Sequence, residues 1–226
     1  MAFHPERPDM DWLLAWATGR SLARGLPLPF SDRGGWRAEI GSDNERRRWL
    51  FAALTPDLRA LAESISEPGL NLRALATPAA MQAFLPTGWS VQAASFAMVG
   101  PSGPTPPVAL PPRYRLELRQ GRTAAHAFIL DADGELAAWG HAGVGENAFV
   151  YDRIVTQPGH RRKGLGRAIM ASLGQGRRDP GQAQLLVATE VGQMLYRSLG
   201  WKVIAPYASA GWTGDSPVQN RPVAIA

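Results

Sequence analysis

The sequence predicts an α/β fold (an α+β arrangement with a mixed sheet), and three observations point to this class. Apolar and polar residues alternate in several segments after residue 113, which is typical of consecutive antiparallel strands. A further strand-like segment passes through a glycine-containing turn into an apolar helix near residue 165. Helix-start signals and strand-like segments also alternate over the first hundred residues. Segments in this order place helices on the faces of a sheet.

The N-terminal hundred residues are predicted to form a small α/β unit. Three pairs of residues have the spacing of a helix start: Ser42 with Glu45, Thr55 with Pro56, and Thr77 with Pro78. Each pair predicts a helix that begins at or directly after it. Strands are expected at residues 36–40, 70–76 and 90–99. The large side chains expected in the core or at an interface are Trp12, Trp16, Trp36 and Trp49.

A proline-rich segment divides the chain. Residues 100–112 contain six of the 19 prolines and no charged residue, so residues 101–112 are predicted to form a stiff linker. The predicted organisation is therefore an N-terminal unit over residues 1–100 and a second domain over residues 113–226.

The second domain is predicted to contain four strands followed by alternating helices and strands. The four strands are expected at residues 114–119, 123–130, 135–143 and 148–156, with a hairpin turn at 131–134. The later elements are a helix at 164–173, a strand at 185–189, a helix at 191–199 and a strand at 201–205. The two-residue period of a strand places Val150, Asp152, Ile154 and Thr156 on one face. The buried stripe expected on the last helix comprises Val191, Met194, Leu195 and Leu199.

The positive charge of the chain is concentrated in one segment. The net charge is +5, and six of the 24 basic residues lie between residues 160 and 178 with no acidic residue among them. The rest of the chain carries 18 basic and 19 acidic residues. One basic segment on a nearly neutral body favours a small phosphorylated ligand over a nucleic acid as the partner.

Some classes of protein are excluded or disfavoured by what the sequence lacks. The chain contains no cysteine, which excludes disulfides, cysteine-ligated zinc and a catalytic thiol. Its four histidines do not have the spacing of a metal site, so no metal is expected. The N-terminus carries acids and prolines where a signal peptide has an apolar segment, and the apolar segment at residues 12–17 is too short to span a bilayer. We therefore expect a cytoplasmic protein that does not bind membranes.

The segment Val155–Met170 is the most informative part of the chain. Pro158 and Gly159 mark a turn, and Gly164 and Gly166 open an apolar helix. The first amide groups of a helix have no partner inside the helix and carry partial positive charge, so a helix start of this kind binds anions. The three cations at residues 161–163 add full charges at the same place. The sequence therefore predicts an anion site in the glycine loop, which we define as residues 157–166.

Two familiar nucleotide-binding loops do not fit this segment. A P-loop requires Lys and then Ser or Thr after its second glycine, but Gly164 is followed by Leu165 and Gly166. A dinucleotide-binding loop requires a third glycine at position 169, which is Ile169, and a parallel strand–helix–strand start. The remaining pattern is Arg-x-x-Gly-x-Gly at residues 161–166, between a strand and a helix.

This pattern resembles the acetyl-CoA-binding segment of the GNAT superfamily of N-acetyltransferases. A second stretch, A-T-E-V-G-Q-M-L-Y-R-S-L-G-W at residues 188–201, is similar to the later strand and helix of that family. The two motifs have the order and separation found in the family, and the resemblance covers about residues 113–207. It implies a GNAT-type fold with an additional N-terminal α/β unit, and acetyl-CoA as co-substrate without a metal.

The resemblance also implies roles for individual residues. The implied donor-binding set is Ile154, Val155, Thr156, Arg161, Arg162, Lys163, Gly164, Leu165, Gly166, Arg167, Thr189, Gly192 and Tyr196. Tyr196 would protonate the departing CoA thiolate, a transfer that reference pKa values of about 8.5 for a thiol and about 10 for tyrosine make nearly balanced. Asp152 is either the base that deprotonates the acceptor or an ion-paired carboxylate. His141 and Glu146 are weaker alternatives for the base.

The sequence departs from the family pattern at two places. Family members have two helices between their first and second strands, which wall the acceptor pocket, but residues 120–122 can only turn a hairpin. We expect the wall to come from a strand-helix-helix-strand series at residues 36–76, which either packs on the C-terminal sheet or forms a degenerate half of the same fold. Thr189 replaces the common Asn of the family, which leaves the usual contact of that residue open.

The predicted function is an acetyl-CoA-dependent N-acetyltransferase that transfers acetyl directly to an amine of a small molecule or peptide. The alternative is a non-catalytic acyl-CoA sensor or scaffold of the same fold, and a nucleic-acid-binding module ranks third. The sequence does not identify the acceptor. A homodimer is compatible with the sequence, which does not determine the oligomeric state.

Overall fold

A computed structural model describes residues 3–214 of the 226-residue chain. The helices are α1 (Met10–Arg24), α2 (Pro56–Ser64), α3 (Pro78–Phe84), α4 (Leu165–Gly174) and α5 (Glu190–Ser198). The strands are β1 (Phe30–Asp32), β2 (Gly35–Ser42), β3 (Glu45–Phe51), β4 (Leu70–Ala74), β5 (Trp89–Val91), β6 (Ser95–Val99), β7 (Arg115–Gln120), β8 (Ala124–Leu130), β9 (Leu136–Val144), β10 (Ala148–Thr156), β11 (Ala183–Thr189) and β12 (Lys202–Trp212). The predicted mixed α/β class is confirmed.

The strands form one mixed sheet in which the two parts of the chain interlock. The order is β1-β2-β3-β4-β12-β6-β11-β10-β9-β8-β7, and β5 pairs with β12 beside this path. Strands β3 and β4 are parallel and connected by α2, and β10 and β11 are parallel and connected by α4. Strand β6 lies between β11 and β12, so residues on both sides of the proline-rich segment contribute to the same sheet. The domain division at residues 101–112 stays a prediction.

Helices cover both faces of this sheet. Helix α1 packs against β9 and β10 and also against β2, so it joins the two parts of the sheet on one face. Its Trp12 and Trp16 are buried in a core shared with both parts, which confirms the predicted core position of these tryptophans. On the opposite face, α2 and α3 cover the N-terminal strands, and α4 and α5 cover the C-terminal strands.

Two glycines allow α1 to approach the sheet closely. A Cβ atom added to Gly19 would lie 2.3 Å from a methyl group of Val150, and one added to Gly143 would lie 1.8 Å from the carbonyl oxygen of Gly19. Neither position therefore accepts a side chain without a shift of the backbone. This close approach brings the C-terminal turn of α1, with Arg20 and Arg24, over strand β10.

Two of the three predicted helix starts are confirmed, and the third is wrong. Thr55 and Thr77 cap α2 and α3 through their hydroxyl groups, which accept hydrogen bonds from main-chain amides at 3.3 and 3.2 Å. The pair Ser42 and Glu45 does not start a helix: β2 ends at Ser42 and β3 begins at Glu45. The segment after Glu45 is buried on both of its faces, one towards α1 and the other towards α2, which a strand satisfies better than a short helix.

Helix α1 was not predicted. It starts at the N-cap Asp9, whose carboxylate accepts from two amides at 3.1 Å, and stops at Gly25, which has a φ of 64°. On its face of the sheet, the helix that packs against β9 and β10 is α1. The assignment of the series at residues 36–76 as acceptor wall or as a degenerate half of the fold stays a prediction. The predicted strand over residues 90–99 is divided into β5 and β6, and β12 continues well beyond residue 205. No helix within residues 3–214 is long and apolar enough to cross a membrane.

Candidate active site

The parallel strands β10 and β11 separate at the level of Val150. Their register runs only from Ala148 to Val150, opposite residues 183–185. Beyond this point β10 continues beside β9 as far as Thr156, and β11 continues beside β6 as far as Thr189. The two strands therefore diverge and leave an opening lined by the backbone of residues 151–156 on one side.

A β-bulge reorients the end of β10 at this opening. One extra residue lies between Asp152 and Val155 in the pairing with β9, and Arg153 has a φ of 52°. As a result Ile154 packs towards α4, while Asp152 faces α1. The prediction that Asp152 shares a face with Ile154 and Thr156 is wrong, because a bulge interrupts the two-residue period of the strand.

The glycine loop leaves the start of α4 open. Gly164 is the N-cap, with a φ of 79° and no side chain to cap the helix, and the first turn contains no acidic residue. The first backbone bond of the helix runs from Ala168 N to Gly164 O at 3.1 Å, so the three preceding amides find no partner within the helix. No atom lies within 4 Å of a Cβ built on Gly164, and the side chains of Arg161, Arg162 and Lys163 are exposed. The start of α4 is therefore open and surrounded by cations, an arrangement that suits an anion such as phosphate.

Hydrogen bonds to other parts of the chain hold the glycine loop and the start of α4 in place. The hydroxyl of Tyr114 lies 3.0 Å from Nδ1 of His160, and Lys163 donates a hydrogen bond to the same hydroxyl at 3.1 Å. Arg161 Nε donates to the carbonyl oxygen of Thr156 at 3.3 Å, and Arg167 donates to the carbonyl oxygen of Ser198 at 3.5 Å. The contribution of Tyr114 was not visible in the sequence, because 46 positions separate it from His160.

Tyr196 is the buried residue of α5. Burial raises the pKa of its hydroxyl well above the ordinary value, and the negative charge of Asp152 adds to the rise. The predicted buried stripe is wrong at two positions, since Val191 and Met194 are 76% and 72% exposed. The helix instead turns Tyr196 inwards, flanked by the partly buried Leu195 and Leu199. The phenol therefore lies within the electrostatic reach of Asp152 and stays protonated over the physiological pH range.

Thr189 and Gly192 shape the start of α5. The hydroxyl of Thr189 accepts a hydrogen bond from Gly192 N at 3.2 Å and is the N-cap of the helix. A Cβ on Gly192 would lie 3.4 Å from the ring of Tyr196, an ordinary contact distance. The residue that replaces the family's asparagine is therefore the N-cap of the helix that carries Tyr196, about two turns later.

Asp152 lies on the α1 side of the opening and is ion-paired. Arg24 donates to both of its carboxylate oxygens, at 2.5 and 2.9 Å, and Arg20 lies at 3.7 Å. Burial by itself would raise the pKa of Asp152, but the hydrogen bond from Arg24 and the charges of Arg20 and Arg24 outweigh it and lower the pKa. The carboxylate is therefore ionised, in the ion-paired arrangement that the sequence analysis gave as one of two interpretations.

The two weaker candidates for the base occupy different places. His141 pairs with Asp152 across β9 and β10, and its ring lies 4.6 Å from that of His126. Burial and the neighbouring His126 lower the pKa of His141 to about 4, so the ring is neutral at physiological pH. Its Nδ1 is buried without a hydrogen-bond partner among the described residues. Glu146 lies in the turn between β9 and β10, at the opposite end of β10 from the opening.

This geometry can be compared with known proteins. Residues 123–203 match the family model of the acetyltransferase (GNAT) domain. The chain carries a GNAT domain. No curated protein matches the sequence.

Solved structures show the same fold for most of the chain. A GCN5-related N-acetyltransferase from Kribbella flavida superposes with a TM-score of 0.59 at 14% identity, over 86% of this chain and 92% of its own. An acetyltransferase described as of the GNAT family, from Novosphingobium aromaticivorans, gives a TM-score of 0.58 at 18% identity and covers 95% of this chain and 100% of its own. A GCN5-related N-acetyltransferase from Sphaerobacter thermophilus gives 0.55 at 11% identity, over 96% and 95%. The GNAT fold therefore includes the N-terminal strands as well as residues 123–203.

Within the GNAT domain, the structure brings the predicted donor-binding residues to one opening. Residues 154–156 line one of its sides, and the glycine loop follows directly from β10. Only the backbone of Leu165 is accessible at the opening, since its side chain is fully buried beneath α4. Gly166 lies where α4 meets α5, because a Cβ there would be 3.0 Å from Leu195. In the part of the chain that the structure describes, no three His, Asp or Glu side chains converge on a metal position.

Proposed function

We propose that the protein is an acetyl-CoA-dependent N-acetyltransferase that transfers acetyl directly to an amine. The observation that supports this most is the continuity of three features: the uncapped start of α4, the diverging strands β10 and β11, and the inward-facing Tyr196. A phosphate group, an extended arm and a reacting thioester would meet these features in that order. This order is the one in which the parts of acetyl-CoA are joined.

The donor would be held mainly by backbone groups. The free amides of the first turn of α4 would donate to the pyrophosphate, and Arg161, Arg162 and Lys163 would supply charge. The pantetheine arm would lie along residues 154–156, where β10 has lost its parallel neighbour. Arg167 is exposed on the first turn of α4 and would reach a phosphate from the other side.

The acyl transfer would proceed in one displacement. The neutral nitrogen of the acceptor attacks the thioester carbonyl carbon, the new C–N bond forms, and the C–S bond breaks with the electron pair remaining on sulfur. The Tyr196 hydroxyl donates its proton to the thiolate. The nitrogen, which carries one proton too many after the attack, gives that proton to the Tyr196 phenolate directly or through water, so that the amide, the thiol and neutral Tyr196 result. Burial raises the pKa of Tyr196, and the same dry surroundings raise the pKa of the thiol, so proton donation keeps much of its driving force.

The acceptor would lose its extra proton on the α1 side of the opening. Asp152 would accept this proton directly or through water, and the excess positive charge of Arg20 and Arg24 beside it favours the neutral amine over the ammonium form. Because Arg20 and Arg24 lower the pKa of Asp152, the proton would not remain on the carboxylate and would pass on to solvent. Asp152 is thus proposed to pass the proton on and to return at once to its ionised form.

The proposal is tested by the change Tyr196→Phe. We expect acetyl-CoA to raise the Tm of the wild type and of Tyr196→Phe equally, and the rate of CoA release with an amine panel to fall about 100-fold or more in the variant. Tyr151→Phe is a matched control, because Tyr151 is also buried but its hydroxyl donates to Gln184 at 2.7 Å, in the part of β11 that is still paired with β10. This control should keep its kcat. Donor binding with no turnover of any amine would instead support a non-catalytic sensor.

A further inference from the structure

A buried cluster of charged residues joins the N-terminal strands to the active-site opening. We call it the arginine cluster and define it as Arg20, Arg24, Arg48, Arg73, Glu45 and Asp152. Its members come from α1, β3, β4 and β10. The cluster lies on the α1 face of the sheet, which is the face of the opening that Asp152 occupies.

The two carboxylates of the cluster are already engaged by three of its four arginines. Arg24 binds Asp152 at 2.5 Å, Arg73 binds Glu45 at 2.9 Å, and Arg48 forms a further ion pair with Glu45. The fourth arginine, Arg20, has only Asp152 as an ion-pair partner, and 3.7 Å separates its Nε from the nearest carboxylate oxygen. That distance is longer than a hydrogen bond. Four cations therefore face two anions, and Arg20 is the arginine left over.

Two further donors in this region have no partner. Nε of Arg48 and the hydroxyl of Tyr207 are buried without a hydrogen-bond partner among the described residues. Both side chains are at least nine-tenths buried, with Arg48 5% and Tyr207 3% exposed. Leaving a buried donor unsatisfied is costly, and more so for a charged group, so these two donors are available to a polar ligand.

The electrostatics of the cluster show that it has an excess of positive charge. Burial lowers the pKa of Arg20 well below its ordinary value, and the charges of Arg48 and Arg24 lower it further. Tyr207 lies beside this cluster, because its ring centroid is 5.4 Å from that of Trp16, which precedes Arg20 by one turn of α1. Arg48 and Arg73 meet at Glu45, and their charges together with that of Arg20 oppose the rise that burial produces in the pKa of Tyr207. An anion that enters between these groups would relieve the repulsion and satisfy the free donors together.

We propose that the acceptor carries a carboxylate, which binds between Arg20, Arg48 and Tyr207 and places the acceptor's amine beside Asp152. The site would thus take an amino acid, or a small peptide-like acid with its amine and carboxylate close together. This assignment rests on the proposed acyl transfer, because it identifies the second substrate of that reaction. The planar fork of Arg20 matches the two oxygens of a carboxylate, and the Tyr207 hydroxyl and Arg48 Nε supply one further bond each.

An acceptor panel of matched pairs tests the substrate class. Each amino acid is compared with the amine that lacks its carboxylate and with its methyl ester: alanine with ethylamine, phenylalanine with phenethylamine, and histidine with histamine. We expect kcat/KM for CoA release to be about 100-fold or more higher for the free acid, because a site with buried donors rejects an analogue that leaves them unpaired. O-Phosphoethanolamine is the phosphate arm. Equal rates for acids and amines, or a preference for the phosphate, would overturn the assignment.

Three variants separate ligand binding from folding. Tyr207→Phe removes a hydroxyl that has no partner, so its Tm should not fall, while KM for the acid should rise about 10- to 100-fold. Arg20→Met removes the excess cation and should likewise not lower the Tm, while the preference for acids should be lost. The matched control is Arg47→Met, because Arg47 is next to Arg48 on β3 but faces the opposite side and pairs with Glu39 at 3.0 Å. A fall in Tm for Tyr207→Phe and Arg20→Met with unchanged KM would mean that the cluster is structural.

A binding measurement separates this inference from the proposed function. Simple acids without an amine, such as propionate and 3-phenylpropionate, should raise the Tm of the acetyl-CoA complex of the wild type but not that of Arg20→Met. If acetyl transfer occurs but acids neither bind nor react better than amines, the carboxylate assignment fails and the N-acetyltransferase proposal stands. If the acids bind as expected but no acetyl is transferred to any acceptor, the N-acetyltransferase proposal fails and the anion site stands.

Discussion

The two strand–helix–strand units of the molecule have the same topology and different surfaces. In the N-terminal unit, β3 and β4 pair continuously, with residues 47–51 opposite residues 70–74. In the C-terminal unit, β10 and β11 pair over only three residues and then separate. The first unit is a closed piece of sheet, whereas the second has the opening to which we assign the donor. The comparison shows that topology alone does not make the site.

The two units also differ at the starts of α2 and α4, the helices that connect their parallel strands. Helix α2 begins with the cap Thr55, followed by Pro56 and the acidic Asp57 in its first turn. The hydroxyl satisfies one of the first amides of the helix, and the proline has no amide to offer. The carboxylate would repel an anion at this helix start. Helix α4 begins with Gly164, has no cap and no acid in its first turn, and follows three cations. Of these two helices, only α4 offers free amides to an anion.

The largest expected effect comes from the change Gly164→Glu, which would make the start of α4 resemble that of α2. Glutamate adds a negative charge where the phosphates are expected and strains a backbone with a φ of 79°. We expect the Kd for acetyl-CoA, measured by calorimetry, to rise about 100-fold or more, the equivalent of about 2.7 kcal/mol.

Gly134→Glu provides the matched control for this change. Gly134 also has a positive φ, of 85°, and open space around its Cβ, but it lies in the turn between β8 and β9. The strain is therefore similar and the charge is far from the glycine loop. If both variants weakened acetyl-CoA binding equally, the loop would not be the phosphate site.

The sequence predicts the C-terminal unit much better than the N-terminal unit, for physical reasons. The glycine loop and its helix are local features, in which each glycine acts through its own backbone. The helix predicted after Ser42 and Glu45 is absent, because alternate residues of this segment are buried against α1 on one side and α2 on the other. This two-residue period is that of a strand. Helix α1 is separated from this segment by β1 and β2, so the local spacing was misleading.

The predicted roles in the site were limited in the same way by distant partners. Asp152 was recognisable as a candidate, but its ion pair with Arg24 joins residues 128 positions apart. The arginine cluster could not be assembled from the sequence, since it needs α1, β3, β4 and β10 in their folded positions. The bulge after Asp152 has no sequence signal here, because the residue with positive φ is Arg153 and not a glycine.

Deletion of Arg153 would sharpen the comparison by making β10 regular, like β3. Without the extra residue, the period of two would continue and residues 154–156 would exchange faces relative to α4. We expect kcat/KM to fall on the order of 100-fold, because a displacement of about 1 Å at reacting groups has this effect. Circular dichroism would check that the variant is folded.

The substitution Arg153→Gly is the control for that deletion. It keeps the extra residue and relaxes a φ of 52° that glycine adopts freely. Its activity should therefore stay near that of the wild type. An active deletion variant would show that the bulge does not position the site.

The smallest expected effect is the pH dependence that His141 contributes from the C-terminal unit. Apart from His4, all histidines follow residue 125, and burial together with His126 lowers the pKa of His141 from its usual 6.5 to about 4. In the unfolded chain His141 binds a proton near pH 6.5, whereas in the folded protein it does so only near pH 4. The free energy of unfolding should therefore be constant above about pH 6.5 and fall between pH 6.5 and 4. The ring is half-buried, so solvent screening limits the loss to roughly 1 kcal/mol.

Urea unfolding of the wild type and of His141→Gln at pH 7.5 and 4.5 would measure this loss of stability. An equal loss in both proteins would assign the pH dependence to other groups.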